Sequence, residues 1–571
     1  MSVDPTQPAP QPRRPEPRRH LALTVAIGAL LGIATALIAL GIAQLVAAVF
    51  NSQVGGPVDA VGELSIDHAP AAVKSFAINT FGSNDKTALV WGIRGVLIIF
   101  AVVIGILALR KLWLGMVGLA VFIAIGIAAA ESQPNSRASD VLPALIGGLV
   151  GALFMRSAAR RAQHGFALGP GQGGGDERVQ RPADAPYKGP VGQNAQPDRP
   201  AQSARPAYAD DASPDRRKFL LLSGATAAGG LLVYGGGSWL GNTRNVTDAQ
   251  HTLRLPAPTS MAPPLPPGSD LKVPGLPPFI TPNDSFYRVD TAIVLPEILP
   301  ANWHLRIHGM VQREITLTFD QLIKRPLIED YITLCCVSNP VGGPYISNAK
   351  WLGASLRSLL RQAGIKAGAD QLFCRSSDGF TSGTPVATAM DGRDALLAVA
   401  MNDAALPVEH GFPARLVIPG LYGYVSACKW IVDIEVTTYA ANQAYWVQRG
   451  WAAQAPVKTE SRIDVPASGA TIKSGTRTAI AGEAWAQHKG IDAVEVRVNH
   501  GPWQQAQLGA VPNIDTWRQW VYYWDANVPA GSYMIEARAT DKTGYTQTAL
   551  ATSEVPNGAS GYPSTQVTVS A

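Results

Sequence analysis

Hydrophobic residues dominate the first part of the chain, and polar residues dominate the remainder. Four nearly uninterrupted apolar runs and one weaker run occur, at 21–50, 87–109, 111–131, 140–157 and 219–240. A helix of about 20 apolar residues crosses a bilayer core with all of its backbone hydrogen bonds made internally. The pattern therefore predicts a cytoplasmic tail at 1–20, four transmembrane helices within 21–157 and a fifth span within 216–240.

Lysine and arginine residues gather at four places beside these runs: Arg13, Arg14, Arg18 and Arg19; Arg110 and Lys111; Arg156, Arg160 and Arg161; and Arg216, Arg217 and Lys218. If the spans alternate in direction, all four clusters lie on one side, which the positive-inside tendency identifies as the cytoplasm. An odd number of spans then places everything after about residue 241 outside. Arg94, near the start of the second span, is either a snorkelling interfacial side chain or a functional charge.

Composition excludes several classes of function. None of the nine histidines lies within an apolar run, so the membrane helices lack imidazole ligands for a haem, and we expect them to act as an anchor or a docking surface. No basic patch interleaved with aromatic residues indicates a nucleic-acid partner, and the formal net charge is only +5. The four cysteines are too few for a disulfide-built scaffold.

Residues 158–215 are rich in Gly, Pro, Gln, Asp and Arg, which predicts a disordered cytoplasmic linker. The linker leads into Arg216-Arg217-Lys218-Phe219-Leu220, which resembles a twin-arginine export signal. The alternative is a positively charged flank of the fifth span. Both interpretations hold if the signal is not cleaved, because it then also serves as the anchor.

Residues 275–447, which follow a linker at 241–274, mix two kinds of pattern. The segment 303–308 alternates like a strand, and the segment 356–363 has helical spacing that ends at Gly364. This mixture predicts an α+β domain.

Residues 331–335 predict a buried strand that runs into Cys336 and a glycine-rich loop. Adjacent strand residues point to opposite faces, so Cys335 and Cys336 need not share an environment. On spacing alone, each cysteine is either a small buried hydrophobe or a reactive or metal-ligating thiol.

Three stretches, in the right order, resemble the molybdopterin-binding domain of the sulfite oxidase superfamily. They are the opening segment 281–287, the stretch 333–360 with Cys336-Val337-Ser338-Asn339, and the stretch 401–430 with Glu409-His410-Gly411-Phe412-Pro413-Ala414-Arg415. The resemblance covers about residues 275–440. It implies a molybdenum–molybdopterin cofactor and two-electron oxygen-atom transfer on a small extracytoplasmic substrate, with the redox chemistry belonging to the cofactor.

Carried over residue by residue, the resemblance places the metal-ligating cysteine on Cys336, whose soft thiolate suits a metal held by a pterin dithiolene. The positions implied for binding the cofactor are Tyr287, Arg288, Ser376, His410, Arg415, Ser426 and Lys429. Arg288 is also a catalytic candidate, because a guanidinium can bind an oxyanion substrate through two hydrogen bonds. The alternative is that Arg288 contacts only the pterin phosphate.

The chain departs from the sulfite oxidase pattern at two places. Those enzymes follow the ligating cysteine with Asn-Arg-Arg, where this chain has Asn339-Pro340-Val341-Gly342, and Lys350 replaces the arginine before Trp351. Sulfite is therefore in doubt as the substrate, and a sulfoxide reductase is the alternative. No haem-binding b5-type segment occurs, so a separate redox partner protein is expected. A membrane-tethered binding protein that has lost the cofactor is the rival from another class.

Cys374 and Cys428 lie on segments that the family brings together, and either a disulfide or two buried free thiols would fit the predicted compartment.

Residues 456–571 contain short strand-like runs, such as 493–498 and 533–539, each followed by turn residues. This spacing predicts an immunoglobulin-like β-sandwich whose tryptophans pack in the core rather than form a ligand platform. The segment resembles the dimerisation domain of sulfite oxidases, which implies a homodimer.

Overall fold

The computed structural model describes residues 17–50, 55–69, 73, 80, 85–133, 136–165, 221, 223–226, 228–233, 246–292 and 294–571. The helices are α1 (Pro17–Val49), α2 (Pro57–His68), α3 (Asp85–Arg110), α4 (Leu112–Glu131), α5 (Leu142–Gly165), α6 (Ser223–Val233), α7 (Val246–Thr252), α8 (Phe319–Ile323), α9 (Leu356–Ala363), α10 (Val386–Met390) and α11 (Gly423–Ser426). The strands are β1 (His304–Gly309), β2 (Ile315–Thr318), β3 (Leu327–Cys335), β4 (Ile346–Ser355), β5 (Gln371–Ser376), β6 (Thr381–Pro385), β7 (Leu396–Met401), β8 (Ala404–Ala405), β9 (Arg415–Val417), β10 (Ile431–Thr437), β11 (Glu460–Ser461), β12 (Thr471–Lys473), β13 (Arg477–Trp485), β14 (Ile491–Val498), β15 (Gln504–Gln505), β16 (Gln507–Leu508), β17 (Arg518–Asp525), β18 (Gly531–Asp541) and β19 (Ser564–Ser570).

Four helices, α1, α3, α4 and α5, are long and apolar enough to cross a membrane, which confirms four apolar helices of spanning length in the predicted region. Helix α1 packs along both α3 and α5. The α1 and α3 backbones cross closely at Gly32. A side chain at this position would collide with the backbone oxygen of Ala101. Small residues of this kind let helix backbones approach each other where the surrounding lipid provides no hydrophobic driving force.

Helix α5 continues to Gly165, so the predicted start of the linker at 158 is wrong. The reason is packing: Ala158 and Ala162 are fully buried in a cluster with Ile27 and Ile104. The remainder of the predicted linker and the twin-arginine motif lie outside the described residues. The described part of the predicted fifth span is the apolar helix α6, which is shorter than the four spans.

The α+β region contains two sheets. One has the order β2-β1-β10-β5-β6, and the other has the order β3-β4-β7-β8, with β9 paired to β7. The predicted strand at 303–308 is β1, and the predicted helix at 356–363 is α9. Helix α9 ends as predicted, because Gly364 adopts a left-handed conformation (φ 71°) that glycine takes without a steric penalty.

The segment 246–274 is packed rather than free, in contrast to the predicted linker at 241–274. Val246 at the start of α7 is buried beside Phe286. Further along, the backbone N–H of Thr259 donates to the carbonyl of Leu327 at 2.9 Å. This segment therefore covers the first residues of β3.

Residues 456–571, here called the C-terminal module, contain two further sheets, β11-β13-β17-β16 and β12-β19-β18-β14-β15. Residues from both sheets share one core, which includes Ile480, Trp520, Val494 and Ile535. Four of the five tryptophans in the module are buried, namely Trp485, Trp517, Trp520 and Trp524. The predicted packing role is confirmed for these four.

Candidate functional site

The strand β3 delivers Cys336 to the edge of a buried site. The backbone N–H of Cys336 donates to Tyr345 at 2.9 Å, and the carbonyl of Cys336 accepts from the N–H of Asn339 at 3.1 Å. The chain then turns, with Gly342 in a left-handed conformation (φ 72°). The loop therefore begins directly at the predicted ligand.

Cys335 and Cys336 occupy different environments, as the strand geometry predicts. Cys335 belongs to the main hydrophobic core, and the charged groups that influence its thiol are Glu460 and Arg462. Burial raises the pKa of the Cys336 thiol, but hydrogen bonds from Ser338 and the charge of a nearby lysine oppose that rise. Hydrogen-bond donors and positive charge stabilise a thiolate, so these groups favour the thiolate form of Cys336.

Arg415 is a buried cation held by backbone carbonyls. Its Nη1 atom donates to the carbonyl of His410 at 3.0 Å, and its Nη2 atom donates to that of Ala427 at 3.3 Å. The guanidinium carbon lies 5.1 Å from the centre of the Trp351 ring. Burial lowers the pKa of Arg415 to about 10. No carboxylate lies among its described hydrogen-bond partners.

Lys429 is a second buried cation and shares a carboxylate with Arg288. The Nζ atom of Lys429 lies 2.8 Å from an oxygen of Asp290 and donates to the carbonyl of Glu409 at 3.1 Å. The Nε atom of Arg288 lies 2.9 Å from the same Asp290 oxygen. Burial lowers the pKa of Lys429 to about 8, although Asp290 opposes that effect. The side chain of Arg288 is 41% exposed, so it lies at the rim.

His410 is neutral at physiological pH. Burial, assisted by the charges of Arg415 and Lys429, lowers its pKa to about 3. Its Nε2 atom lies 3.1 Å from the carbonyl oxygen of Asn283, which assigns the proton to Nε2. The ring meets Phe286 edge to face at 5.4 Å.

Tyr287 is drawn into the site by its backbone, whose N–H donates to the hydroxyl of Ser347 at 3.1 Å. The pKa of its phenol is raised, first by burial and then by the neighbouring cysteines Cys336 and Cys335. The phenol also lies against the start of α11, because a side chain at Gly423 would be 3.4 Å from its oxygen. Tyr287 and Cys336 are therefore neighbours.

The two predicted serines differ. The hydroxyl of Ser426 donates to the carbonyls of Leu421 and Tyr422 at 3.0 and 3.1 Å, so it is engaged within its own turn. Ser376 is buried beside Asp378, whose pKa is raised by burial and lowered by the Ser376 hydroxyl. Because Lys429 and Asp290 also influence Asp378, Ser376 lies near the other predicted residues.

Comparison with known proteins identifies a domain in this region. Residues 292–446 match the family described as oxidoreductase molybdopterin binding domain. Mitochondrial sulfite oxidase of Mus musculus is 30% identical over 297 residues, which cover 44% of this chain and 54% of that protein. Residues 292–446 therefore contain an oxidoreductase molybdopterin-binding domain of the sulfite oxidase type. This domain implies a molybdenum cofactor.

Two further proteins are similar to parts of this chain. NADH nitrate reductase of Solanum lycopersicum is 32% identical over 194 residues, which cover 29% of this chain and 21% of that protein. The crystal structure of the sulfane dehydrogenase SoxCD from Paracoccus pantotrophus covers 55% of this chain and 88% of that chain, with 22% identity and a TM-score of 0.41. The chain spans about half the length of the mammalian sulfite oxidases that it matches.

The residues present fit a superfamily cofactor. Within the described ranges, no group of three or more His, Cys, Asp or Glu side chains is placed to hold a metal ion. Arg415 and Lys429 provide buried positive charge for an anionic group. The Nδ2 group of Asn339 is buried and finds no hydrogen-bond partner in the described part of the chain. A polar group bound at the site would satisfy it.

Lys350 does not face the site. Its Nζ atom lies 3.1 Å from Glu329 and 2.6 Å from Asp403. The next residue on β4, Trp351, points the opposite way and supports Arg415. Lys350 is therefore engaged by carboxylates on its own side of the sheet, and the doubt about sulfite as the substrate stays a prediction.

Cys374 and Cys428 are both buried free thiols, so the disulfide alternative is wrong. Burial raises the pKa of the Cys374 thiol to about 12 and that of Cys428 well above its usual range. Thiols held in the protonated form are poor nucleophiles for exchange or oxidation.

Asp290 and Asp378 are not among the residues that the sequence predicts for the site. Asp290 follows Arg288 by two residues, a spacing that brings both side chains to one side of an extended segment. Its second partner, Lys429, is 139 residues away, so no local pattern could reveal the pair. Asp378 lies next to the predicted segment of Ser376, and its position beside a candidate was the available signal.

Proposed function

We propose that this protein is a membrane-anchored molybdenum-cofactor oxidoreductase that moves an oxygen atom and two electrons to or from a small extracytoplasmic substrate. The observation that carries the proposal is the position of the Cys336 thiol at the end of β3, in a buried site with Arg415 and Lys429. A single soft ligand beside two buried cations suits a metal that arrives with an anionic, sulfur-rich cofactor.

Each side chain then has a stated role. The cofactor, when bound, supplies the two-electron chemistry. Cys336 would ligate the metal, while Arg415 and Lys429 would balance the negative charge of the cofactor. His410, being neutral with its proton on Nε2, keeps Nδ1 free to accept a hydrogen bond. Arg288, partly exposed at the rim, would meet the cofactor phosphate or an incoming oxyanion.

Sulfoxide reduction is the second candidate. The loop from Val337 to Gly343 contains no cation, and Lys350 is engaged with Glu329 and Asp403. A loop without a cation beside the Cys336 thiol suits a neutral oxide as well as an oxyanion. Oxidation of a substrate consumes one water and releases two protons and two electrons, and reduction reverses this balance. Either direction needs a separate redox partner protein.

Metal analysis and turnover test the proposal directly. The full chain would be purified in detergent from a host that makes molybdenum cofactor, and assayed with sulfite plus an electron acceptor and with a sulfoxide plus an electron donor. We expect about one molybdenum per chain and turnover in one direction. A well-folded protein without molybdenum would favour the rival, a membrane-tethered binding protein.

The proposed location is extracytoplasmic for the catalytic domain. Val294, just before the catalytic strands, lies near the segment between α1 and α3, since a side chain at Gly55 would be 3.1 Å from its methyl group. That segment lies on the opposite side of the membrane from Arg110 and Lys111, which the positive-inside tendency places in the cytoplasm. In spheroplasts, external protease should therefore degrade the catalytic domain. If the domain is degraded only after the spheroplasts are lysed, the proposed extracytoplasmic location is wrong.

Export by the twin-arginine route is proposed on the motif alone. Arg216→Lys with Arg217→Lys keeps the positive flank but removes the arginine pair. Under this proposal, the doubly substituted catalytic domain stays inaccessible to external protease. If export is unchanged, Arg216 and Arg217 act only as a positively charged flank of the fifth span and not as an export signal.

The C-terminal module is proposed to be an immunoglobulin-like sandwich that supports a homodimer. Its two sheets share one core, and the family resemblance of the segment implies dimerisation. Sedimentation of the detergent-solubilised chain should give the mass of two protein copies. A single copy at all concentrations would contradict the proposed dimer.

A further inference from the structure

The strand that carries Cys336 is an edge strand. β3 is the outermost strand of the sheet β3-β4-β7-β8, so alternate residues point their backbone N–H and C=O groups away from β4. Free edge groups must find other partners when they are buried. At the beginning of β3, the segment around Thr259 and Ser260 provides them.

Nearer to Cys336, the C-terminal module provides the partners. The N–H of Thr333 donates to the carbonyl of Asp515 at 3.0 Å, and the carbonyl of Thr333 accepts from Nε2 of Gln487 at 3.1 Å. The carbonyl of Tyr331 accepts from Nδ2 of Asn513 at 3.0 Å. The C-terminal module therefore provides hydrogen-bond partners for three outward-pointing backbone groups of β3: the N–H and carbonyl of Thr333 and the carbonyl of Tyr331.

The side chain of Thr333 is held in the same way. Its hydroxyl accepts from the backbone N–H of Trp517 at 2.7 Å and donates to Asn348 on β4 at 2.9 Å. Thr333 is buried and lies three residues before Cys336. The module thus fixes the position of the strand immediately before the ligand.

The loop after Cys336 is held from the same side. Nη1 of Arg462 donates to the carbonyl of Gly343 at 3.3 Å. Arg462 is itself fixed by Asp464 at 2.8 Å and by the fully buried Glu483 at 2.9 Å. A side chain at Gly342 would also meet Pro563 of the module at 3.5 Å.

We propose that the C-terminal module positions the Cys336 thiolate for the metal, with Gln487, Asn513 and Arg462 as positioning residues. This proposal rests on the proposed function, because only a molybdenum enzyme gives the Cys336 thiolate a metal to bind. It assigns the module a task within each protomer, independent of any dimer. Small displacements of a reacting group cost rate even when the substitution is remote, and loss of one contact should lower kcat on the order of 10- to 100-fold.

Gln487→Ala is the informative substitution, because it removes one contact to Thr333 and leaves the buried charges of Arg462 and Glu483 paired. The matched control is Gln566→Ala, which lies on the exposed face of β19 in the same module, where its side chain donates to Ser532 at 2.8 Å. Asn513→Ala provides a second variant that acts on Tyr331. All variants would be made in the full chain.

Three measurements decide the outcome: molybdenum per chain, the Mo(V) electron paramagnetic resonance spectrum, and amide hydrogen exchange of residues 331–336. We expect Gln487→Ala and Asn513→Ala to keep their molybdenum, shift the g values, lower kcat and speed exchange, while Gln566→Ala matches the wild type. Molybdenum-loaded variants with wild-type g values and kcat would overturn the proposal.

The proposed function fails in a different way. If the wild-type chain binds no molybdenum, that function is wrong, and the thiolate has no metal to be positioned for. Exchange that stays slow in Gln487→Ala would show, without reference to any metal, that the module does not order β3.

Discussion

Asp290 places one carboxylate oxygen 2.8 Å from Nζ of Lys429 and 2.9 Å from Nε of Arg288. The three residues come from the opening segment of the catalytic domain and from the stretch after α11. The buried carboxylate therefore joins a rim cation to an interior cation. It also keeps Lys429 charged in a place where burial opposes charge.

Asp290→Asn should weaken cofactor retention in a pH-dependent manner. The pKa of Lys429 is already lowered to about 8, and loss of Asp290 removes the group that raises it. The charged amine is lost as pH rises through this pKa, so the variant should release molybdenum at a lower pH than the wild type does. Metal content after dialysis between pH 6 and pH 9 checks this. Asp391→Asn, which breaks an ion pair with Arg393, is the control. Identical retention curves for all three proteins would contradict the prediction.

Lys350→Gln should leave the KM for substrate unchanged. Lys350 is paired with Glu329 and Asp403, and the Asp403 side chain is 73% exposed. Such partly exposed pairs contribute about 1 kcal/mol or less, so the expected cost is a slightly lower melting temperature. Steady-state kinetics and thermal melting are the measurements. A tenfold rise in KM would contradict the prediction and show that Lys350 contributes to substrate binding.

Glu460 should make the free energy of unfolding fall as the pH rises from about 4.5 to about 8. Burial raises the pKa of Glu460 to about 8, with Lys458 opposing, whereas an unfolded glutamate titrates near 4.5. The folded state therefore holds a proton that the unfolded state releases. Its stabilising effect is complete below pH 4.5 and is lost by about 1.4 kcal/mol for each pH unit up to about 8. Melting of wild type and Glu460→Gln between pH 5 and pH 8 tests this, since the variant should lack this slope. Parallel curves would show that Glu460 is ionised when folded.

The sequence was sufficient where local patterns decide the structure. Four apolar runs became helices of spanning length, Gly364 ended α9, and strand alternation separated Cys335 from Cys336. Family motifs brought Cys336, His410 and other residues into one place because they lie on segments whose order the fold preserves.

The remaining features depend on contacts between distant segments. The pairing of Asp290 with Lys429 spans 139 residues, and Lys350 turns away because Glu329 and Asp403 lie on its side of the sheet. Composition also placed the end of α5 too early, since the alanines beyond 157 are buried against neighbouring helices. None of these contacts leaves a periodic signal in the sequence.

Molybdenum K-edge X-ray absorption on the purified full chain tests the central claim, with Cys336→Ser compared against Cys335→Ser. The two cysteines are adjacent and buried, but only Cys336 shares the site with Lys429. The account predicts that Cys336→Ser loses one sulfur from the metal shell and loses activity, whereas Cys335→Ser keeps the wild-type sulfur count. A full sulfur shell in Cys336→Ser would contradict it.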